Sequence, residues 1–307
     1  MKLIKPSFEI WEQSVGLEGV YKQIEKVGRV CYKSEDKITE DSAKPFVDRM
    51  IKSGHGAMLE HGTVYLKYDI IEHGSMNLPN KYHFNEYSVV TINNEPPEYR
   101  EKFNGHTYAY ITTNYRVLLQ NDWLYDLKYQ CEPTEYHERR VTVHFVCDRG
   151  VSHEFVRHRV MSFAQESTRY CNYSKDKFGN ELTFIKPCWL DIPTGQYVYW
   201  DGDWCDINKM IQLPEGEHKD IDAFLWALNN AETYYTLLIN SGWKPQEARA
   251  ILPNSLKTEL VVTGFTSDWN HFFDLRARGT TGAPHPQAKE LAEPLMKEFI
   301  ARKYINN

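Results

Sequence analysis

Apolar residues recur at helical spacing from Leu17 to about Val27, and Ser42 followed by Ala43 to Lys52 predicts a capped helix that Gly54 stops. After the turn GHGAMLEHG, the stretch TVYLKYDI alternates: Val64, Leu66 and Tyr68 share one face, while Thr63, Tyr65 and Lys67 share the other. That pattern predicts a half-buried strand. A second alternation, Val141 to Val146 within RRVTVHFVCD, predicts a strand leading into a helix over VSHEFVRHR, with Ser152 as its cap and Glu154 in its positive first turn. Towards the C-terminus the helices become clear. Asp220 suits the N-cap of IDAFLWALNNAETYYTLLIN, which ends at Ser241-Gly242, and Pro245 opens a short helix, PQEARAIL, that Pro253 closes. LKTELVVTGF reads as a strand, SDWNHFFDLR as a helix capped by Ser267, and PQAKELAEPLMKEFIARKYI as a closing helix.

Two stretches break this pattern. Residues 74–138 are rich in Tyr, Asn, Glu and Pro, with turn signals at LPNK, NNEPPE and FNGH and a strand-like piece, HTYAYITT. Residues 175–219 are interrupted by Gly179, Pro187, Pro193, Gly195 and Pro214. Both predict elaborations on one core, so residues 1–307 are expected to form a single domain. Strands and helices without regular βαβ alternation predict an α+β fold, a mixed sheet packed with helices.

Composition narrows the function classes. The 307 residues are 41% hydrophobic, 14% aromatic and 25% charged, an ordinary soluble balance, and no apolar run approaches the ~20 residues of a membrane helix. The start, MKLIKPSFEIWEQ, lacks the basic head and apolar stretch of an export signal, so a cytoplasmic location is expected, or the host cytoplasm for a viral protein. Six scattered cysteines (Cys31, Cys131, Cys147, Cys171, Cys188, Cys205) form no C-x-x-C and are expected to be reduced thiols. A net charge of −6 without a long basic block argues against general attraction to nucleic acid, and no membrane partner is expected.

Against that acidity, EFVRHRVMSFAQESTRYCNYS crowds Arg157, Arg159 and Arg169 into thirteen residues. His153 and His158 stand at i and i+5, about 500° of helical rotation apart instead of the roughly 400° of a zinc-binding i, i+4 pair, and no metal site is expected. No Gly-x-Ser-x-Gly elbow surrounds a serine, and the G-x-G-x-x-G and P-loop patterns are both missing. Arginine forks beside a serine-bearing turn suit a phosphate. Composition leaves two alternatives open: a solvated basic face paired with acids elsewhere, or a single-stranded nucleic-acid groove in which Phe163, Tyr170 and Tyr173 interleave with the arginines.

Arg157-His158-Arg159, seven residues and then Ser167, followed by Arg169, resembles the R-H-R-x7-S signature of the flavin-dependent thymidylate synthases. Glu60-His61 before TVYLKY, Ala248-Arg249-Ala250-Ile251-Leu252-Pro253 and His271-Phe272-Phe273-Asp274-Leu275-Arg276 resemble further elements of that family in the same order. The likeness is dense around 141–174 and 230–280, and residues 74–138 and 175–219 then read as insertions. Glu154 stands where some members have Gln, and Gln165 where some have Glu. Pro187-Cys188 is only a dipeptide likeness to the cysteine-dependent thymidylate synthases.

The resemblance implies reductive methylation of dUMP to dTMP. The methylene would come from 5,10-methylenetetrahydrofolate and the hydride from FAD reduced by NADPH, with no cysteine nucleophile, in a homotetramer whose active sites draw on several subunits. It implies Arg276 as the catalytic residue, stabilising negative charge on the uracil. It implies dUMP contacts at Glu154, Phe155, Val156, Arg157, Gln165, Glu166, Ser167, Thr168, Arg169, Arg249 and Arg276. The implied FAD contacts are His61, Thr63, Arg157, His158, Arg159, Gln165, Phe265, Thr266, Ser267 and His271.

Overall fold

The computed structural model describes residues 1–93, 106–200, 203–206, 211–212 and 219–306. Most of NNEPPE and FNGH, and Pro214, lie outside the described residues. The described strands are β1 Lys2–Ile4, β2 Ser7–Trp11, β3 Thr63–Asp69, β4 Val89–Ile92, β5 Tyr108–Asn114 and β6 Arg140–Asp148, then β7 Ser162–Gln165, β8 Thr183–Ile185, β9 Gly195–Trp200, β10 Asp203–Asp206, β11 Ile211–Gln212 and β12 Lys257–Phe265. They form three sheets, ordered β2-β6-β12-β7, β3-β5-β4 and β11-β10-β9-β1-β8. With helices packed against them, this is an α+β fold.

The β2-β6-β12-β7 sheet is the centre, and all its pairings are antiparallel. Because successive side chains point to opposite faces, Val143, Phe145 and Cys147 of β6 and Leu260 and Val262 of β12 share one face. There they pack with Trp269, Phe272 and Phe273 of the helix Thr266–Phe273 and with Leu291, Leu295 and Phe299 of the helix Pro286–Ala301. Val261 and Ala164 point the other way, onto Val27 and Val30 of the helix Gly16–Tyr32. Helices covering both faces explain why KTELVVTGF reads as a nearly continuous apolar run rather than a clean alternation.

That second face also carries a buried polar row. Glu259 accepts from His144 Nε2 at 2.9 Å, Lys33 Nζ at 2.9 Å and Lys257 Nζ at 2.5 Å, while Thr263 Oγ1 lies 2.8 Å from both Thr142 Oγ1 and His61 Nδ1. The turn that brings His61 here passes directly beneath a helix. A Cβ on Gly62 would stand 2.7 Å from Val20 Cγ1 and 2.8 Å from Ile24 Cδ1, so only glycine fits.

The stretches that break the hydrophobic pattern are structured where described. Residues 74–138 supply β4 and β5, and with β3 they enclose a core of Leu66, Tyr82, Ile111 and Leu118 against Val20, Ile24 and Phe46. LPNK is not a turn but part of the helix Asn77–His83, with Pro79 in the first turn, where a missing N–H is tolerated. Residues 175–219 supply β8 to β11, which pack Phe184, Tyr197 and Trp204 against Leu225 and Tyr235 of the helix Lys219–Asn240. Asp220 falls in that helix's first turn rather than before it. Ser42 occupies the N-cap position of the helix Ala43–Lys52 without bonding it, because its hydroxyl donates to Glu25 Oε2 at 2.7 Å.

Candidate active site

Strand β6 ends at Asp148, and Asp148 rather than Ser152 caps the helix Arg149–Phe155: its Oδ1 accepts from Val151 N at 2.8 Å. Its other oxygen accepts from Gln287 Nε2 at 3.0 Å, which pins the cap to the closing helix. Ser152 lies inside the helix and is occupied there, donating to Arg149 O at 2.9 Å and accepting from Gln165 Nε2 at 2.8 Å. The helix stops at Phe155, so Arg157-His158-Arg159 fall in the turn beyond it instead of continuing it. Val160 closes that turn at φ 75°, a left-handed conformation that a β-branched residue adopts only under strain. Arg157 and Arg159 are exposed and have no carboxylate partner among the described residues, while His158 is buried. The paired basic face weighed from the sequence is therefore not what these two arginines form.

Arg276 sits in a wide π turn, Asp274–Arg278, that Gly279 ends at φ 71°. Its guanidinium donates from Nη1 to Glu154 Oε2 at 2.5 Å, from Nη2 to Glu154 O at 2.9 Å and from Nε to His158 Nε2 at 3.2 Å. Burial pushes the His158 imidazole down to about 4, helped by the charges of Arg276 and His271. His158 is thus neutral near pH 7, and because Nε2 accepts from Arg276, the ring proton belongs on Nδ1. That Nδ1 is buried and has no partner.

A second side of the same short helix builds a cation-lined cavity. Arg149 and His153, at i and i+4, share a face. With Thr168, Arg249, Ala250, Leu252, Pro253 and Asn254 they line an opening of about 600 Å³ that contains no carboxylate. Arg149 Nη1 is buried and unpartnered, and Arg249 Nη1 donates to Thr168 Oγ1 at 3.3 Å. Beside it Ser167 Oγ accepts from Arg169 N at 3.3 Å, and Arg169 Nε reaches Gln246 Oε1 at 3.4 Å. Sequence reasoning missed Arg149 altogether and weighed His153 only as a metal ligand. The available signal was their one-turn spacing just past a capping aspartate.

Other expected contacts are turned inward. Phe155 packs its ring on Phe145 and Phe272 at 5.1 and 4.9 Å, whereas its neighbour Val156 is exposed. Gln165 is committed to Ser152 and to Thr258 Oγ1 at 3.2 Å. Glu166, almost fully buried, accepts from Lys257 Nζ at 2.8 Å and Tyr173 OH at 2.9 Å, which anchors the Ser167 turn from below. Tyr173 is thereby buried and Phe163 packs against the core, so two of the three aromatics of a stacking groove are unavailable to bases.

Of the expected flavin contacts, His271 is exposed, 5.8 Å from the His158 ring. His61 is completely buried, and burial, with the nearby Arg140 charge, pushes it down to about 3; its Nε2 has no partner. Thr63 accepts from Arg140 Nη1 at 3.3 Å. Phe265 is buried, Thr266 N donates to Arg139 O at 3.0 Å, and Ser267 N donates to Glu138 Oε1 at 3.0 Å. The helix begins at Thr266, so Ser267 lies inside it rather than capping it, and Asp268 in its first turn reaches back to accept from Phe265 N at 3.1 Å. Among the described residues no group of three or more His, Cys, Asp or Glu could hold a metal ion, and no helix is long and apolar enough to cross a membrane.

The sequence profile of the thymidylate synthase complementing protein family matches residues 133–302, more than half of the chain. The chain belongs to this family. The family match contains Arg157, Ser167, Arg249 and Arg276, and leaves out His61 and Thr63. A flavin-dependent thymidylate synthase of Pyrococcus furiosus is 31% identical over 162 residues, 52% of this chain and 53% of that protein. One of Geobacter sulfurreducens is 26% identical over 42% of this chain and 43% of its own length. A probable flavin-dependent thymidylate synthase of Paramecium bursaria Chlorella virus 1 is 24% identical over 52% of this chain and 67% of its own. The chain thus spans about half the length of the first of these relatives. A solved UMP/dUMP methylase, PolB from Streptomyces cacaoi bound with 5-Br dUMP, aligns over 98% of this chain and 93% of its own at 16% identity and a TM-score of 0.43.

Proposed function

We propose that this chain is a flavin-dependent thymidylate synthase that converts dUMP to dTMP. The observation that carries the reading is the carboxylate-free cavity of Arg149, His153, Thr168 and Arg249, placed beside the Arg157–Ser167 segment. Two guanidinium forks and a hydroxyl provide the geometry a nucleotide phosphate needs. The Ser167 turn and Arg169 complete that cradle, and fixing the phosphate orients the base. Glu154, Arg157, Gln165, Glu166 and the backbone at Phe155 and Val156 shape the rest of the dUMP site, directly or by holding those that touch it.

Arg276 supplies the catalytic charge. Its guanidinium cannot lose a proton near neutral pH, so it stabilises negative charge developing on the uracil while its Nε stays bonded to His158. The residues present also fit FAD: the His158 Nδ1 donor and the His61 Nε2 atom are buried without partners, and Arg157 and Arg159 carry unpaired charge suited to a pyrophosphate. Thr63, Gln165, Phe265, Thr266, Ser267 and His271 complete the flavin set. When bound, the flavin supplies the hydride, recharged by NADPH, and 5,10-methylenetetrahydrofolate supplies the carbon. The reading includes a cytoplasmic homotetramer built from one catalytic domain per chain. Neighbouring subunits then close a site whose Arg276 and Arg249 clusters lie on different sides of one short helix.

The test is a visible absorption spectrum of the purified protein before and after dUMP, followed by a dTMP assay with methylenetetrahydrofolate and NADPH. A colourless protein that neither binds added FAD nor makes dTMP refutes the proposal.

A further inference from the structure

A second cationic cavity lies apart from the nucleotide cradle. It is an open hollow of about 1040 Å³ lined by Arg29, Lys33, Lys37, Arg49, Lys175 and Lys177, with Asp36 the one acid in its lining. Two of these cations are neutralised: Arg29 binds Glu25 at 2.7 Å, and Lys33 binds Glu35 at 2.7 Å and Glu259 at 2.9 Å. Lys37, Arg49, Lys175 and Lys177 have no carboxylate partner among the described residues. Lys177 donates only to the Lys33 carbonyl, at 3.2 Å, and the Arg49 guanidinium lies 5.4 Å from the Phe46 ring centre.

Composition does not produce such a concentration in a chain of net charge −6. The cations come from separate parts of the chain, and an anion in the space between them relieves their mutual repulsion. The cavity also adjoins the proposed active site. Tyr32 on its wall lies 5.2 Å from the Tyr170 ring, and the Arg169 guanidinium lies 5.3 Å from that same ring.

We propose that this cavity binds a small polyanion, the charged tail of a co-substrate of the reaction proposed above; its role as a co-substrate site rests on that reading, whereas anion binding does not. The chemistry required is two or more phosphates or carboxylates a few ångströms apart. Two sources carry it: the phosphates of NADPH and the glutamyl carboxylates of the reduced folate. The concave shape and the acidic whole chain oppose a long nucleic-acid backbone lying across it.

Calorimetric titration of the full chain with inorganic tripolyphosphate, with dUMP present to fill the Arg149–Arg249 cradle, reads the site. The exposed double substitution Lys175→Gln/Lys177→Gln is expected to weaken binding by about tenfold or more. Arg49→Gln, on another helix, is expected to weaken it too, while Lys297→Gln, on the exposed face of the closing helix, leaves it unchanged. Equal affinity in wild type and both cavity variants overturns the proposal, as does an equal loss in Lys297→Gln or tighter binding of a single-stranded oligonucleotide at the same residues. In turnover assays, a raised KM of the double variant for NADPH alone supports the phosphate source and a raised KM for the folate alone supports the carboxylate source. Unchanged KM for both overturns the co-substrate assignment. A wild type that makes no dTMP refutes the proposed function, and the tripolyphosphate titration still reads the cavity.

Discussion

Arg276→Gln separates a catalytic charge from a structural one. The guanidinium makes three hydrogen bonds, two to Glu154 and one to His158, and the Arg276 and Glu154 side chains keep 17% and 30% exposure. Partial screening limits the stability lost with the pair to about 1 kcal/mol, since water can reach the abandoned carboxylate. In a chain of this size that lowers the melting temperature by only about 2–4 °C. Losing a fixed charge that stabilises a developing anion acts on the barrier instead and costs about 10²–10³ in kcat, roughly 3–4 kcal/mol. The two effects differ by several-fold in free energy, so paired measurements decide between them. The expected outcome is a kcat for dTMP formation, at saturating dUMP, reduced by about two to three orders of magnitude with near-native melting. A variant that keeps wild-type kcat, or one that loses its fold, would refute the charge-stabilisation argument.

Three further outcomes follow from the geometry. Arg149→Ala removes from the phosphate cavity a fork whose Nη1 is buried and unpartnered, and is expected to weaken dUMP binding by about tenfold with little change in melting; equal affinity in a titration removes Arg149 from the site. Lys257→Met leaves Glu166 buried with only Tyr173 and is expected to cost about 3–5 kcal/mol in urea denaturation at neutral pH; a loss below about 1 kcal/mol means that the Ser167 turn does not depend on the pair. His158 has a folded pKa of about 4 against an ordinary 6.5, so between those values the unfolded chain binds a proton that the folded chain refuses. Its contribution is complete above about 6.5 and is lost as pH falls towards 4, by roughly 1–2 kcal/mol after allowance for screening. Melting curves from pH 7.5 to 4.5 should therefore fall less steeply for His158→Gln than for wild type; parallel curves would contradict the neutral imidazole.

The local patterns in the chain carried the fold well where hydrogen-bonding partners are close in sequence or where periodicity is strong. The helix Gly16–Tyr32, strands β3, β6 and β12 and the closing helix stand where apolar spacing places them. Caps were misjudged because both helices start earlier than expected: Asp148 accepts from Val151 N ahead of Ser152, and the helix that begins at Thr266 already contains Ser267, with Asp268 reaching back to Phe265 N. Arg157, Arg169, Arg249 and Arg276 were singled out through the family resemblance, but Arg149 and the partners of these side chains were not. Glu154 and Arg276 are 122 positions apart, and Glu166 and Lys257 are 91 apart. No short-range pattern announces that Glu166 turns inward while Thr168, two residues on, faces a cavity. Only the stacking of β6, β12 and β7 decides it.

The wide turn at Asp274–Arg278 ties residue count to chemistry. A π turn accommodates one residue more than an α-helical turn, and each residue along a helix advances the azimuth by about 100°. Excising a single residue between Phe273 and Gly279 would let the coil rewind to its commoner pitch and swing the Arg276 side chain away from Glu154 and His158. The spacing of this short segment is therefore as tightly constrained as the identity of Arg276, and substitutions at its other positions are tolerable in a way that a one-residue deletion is not.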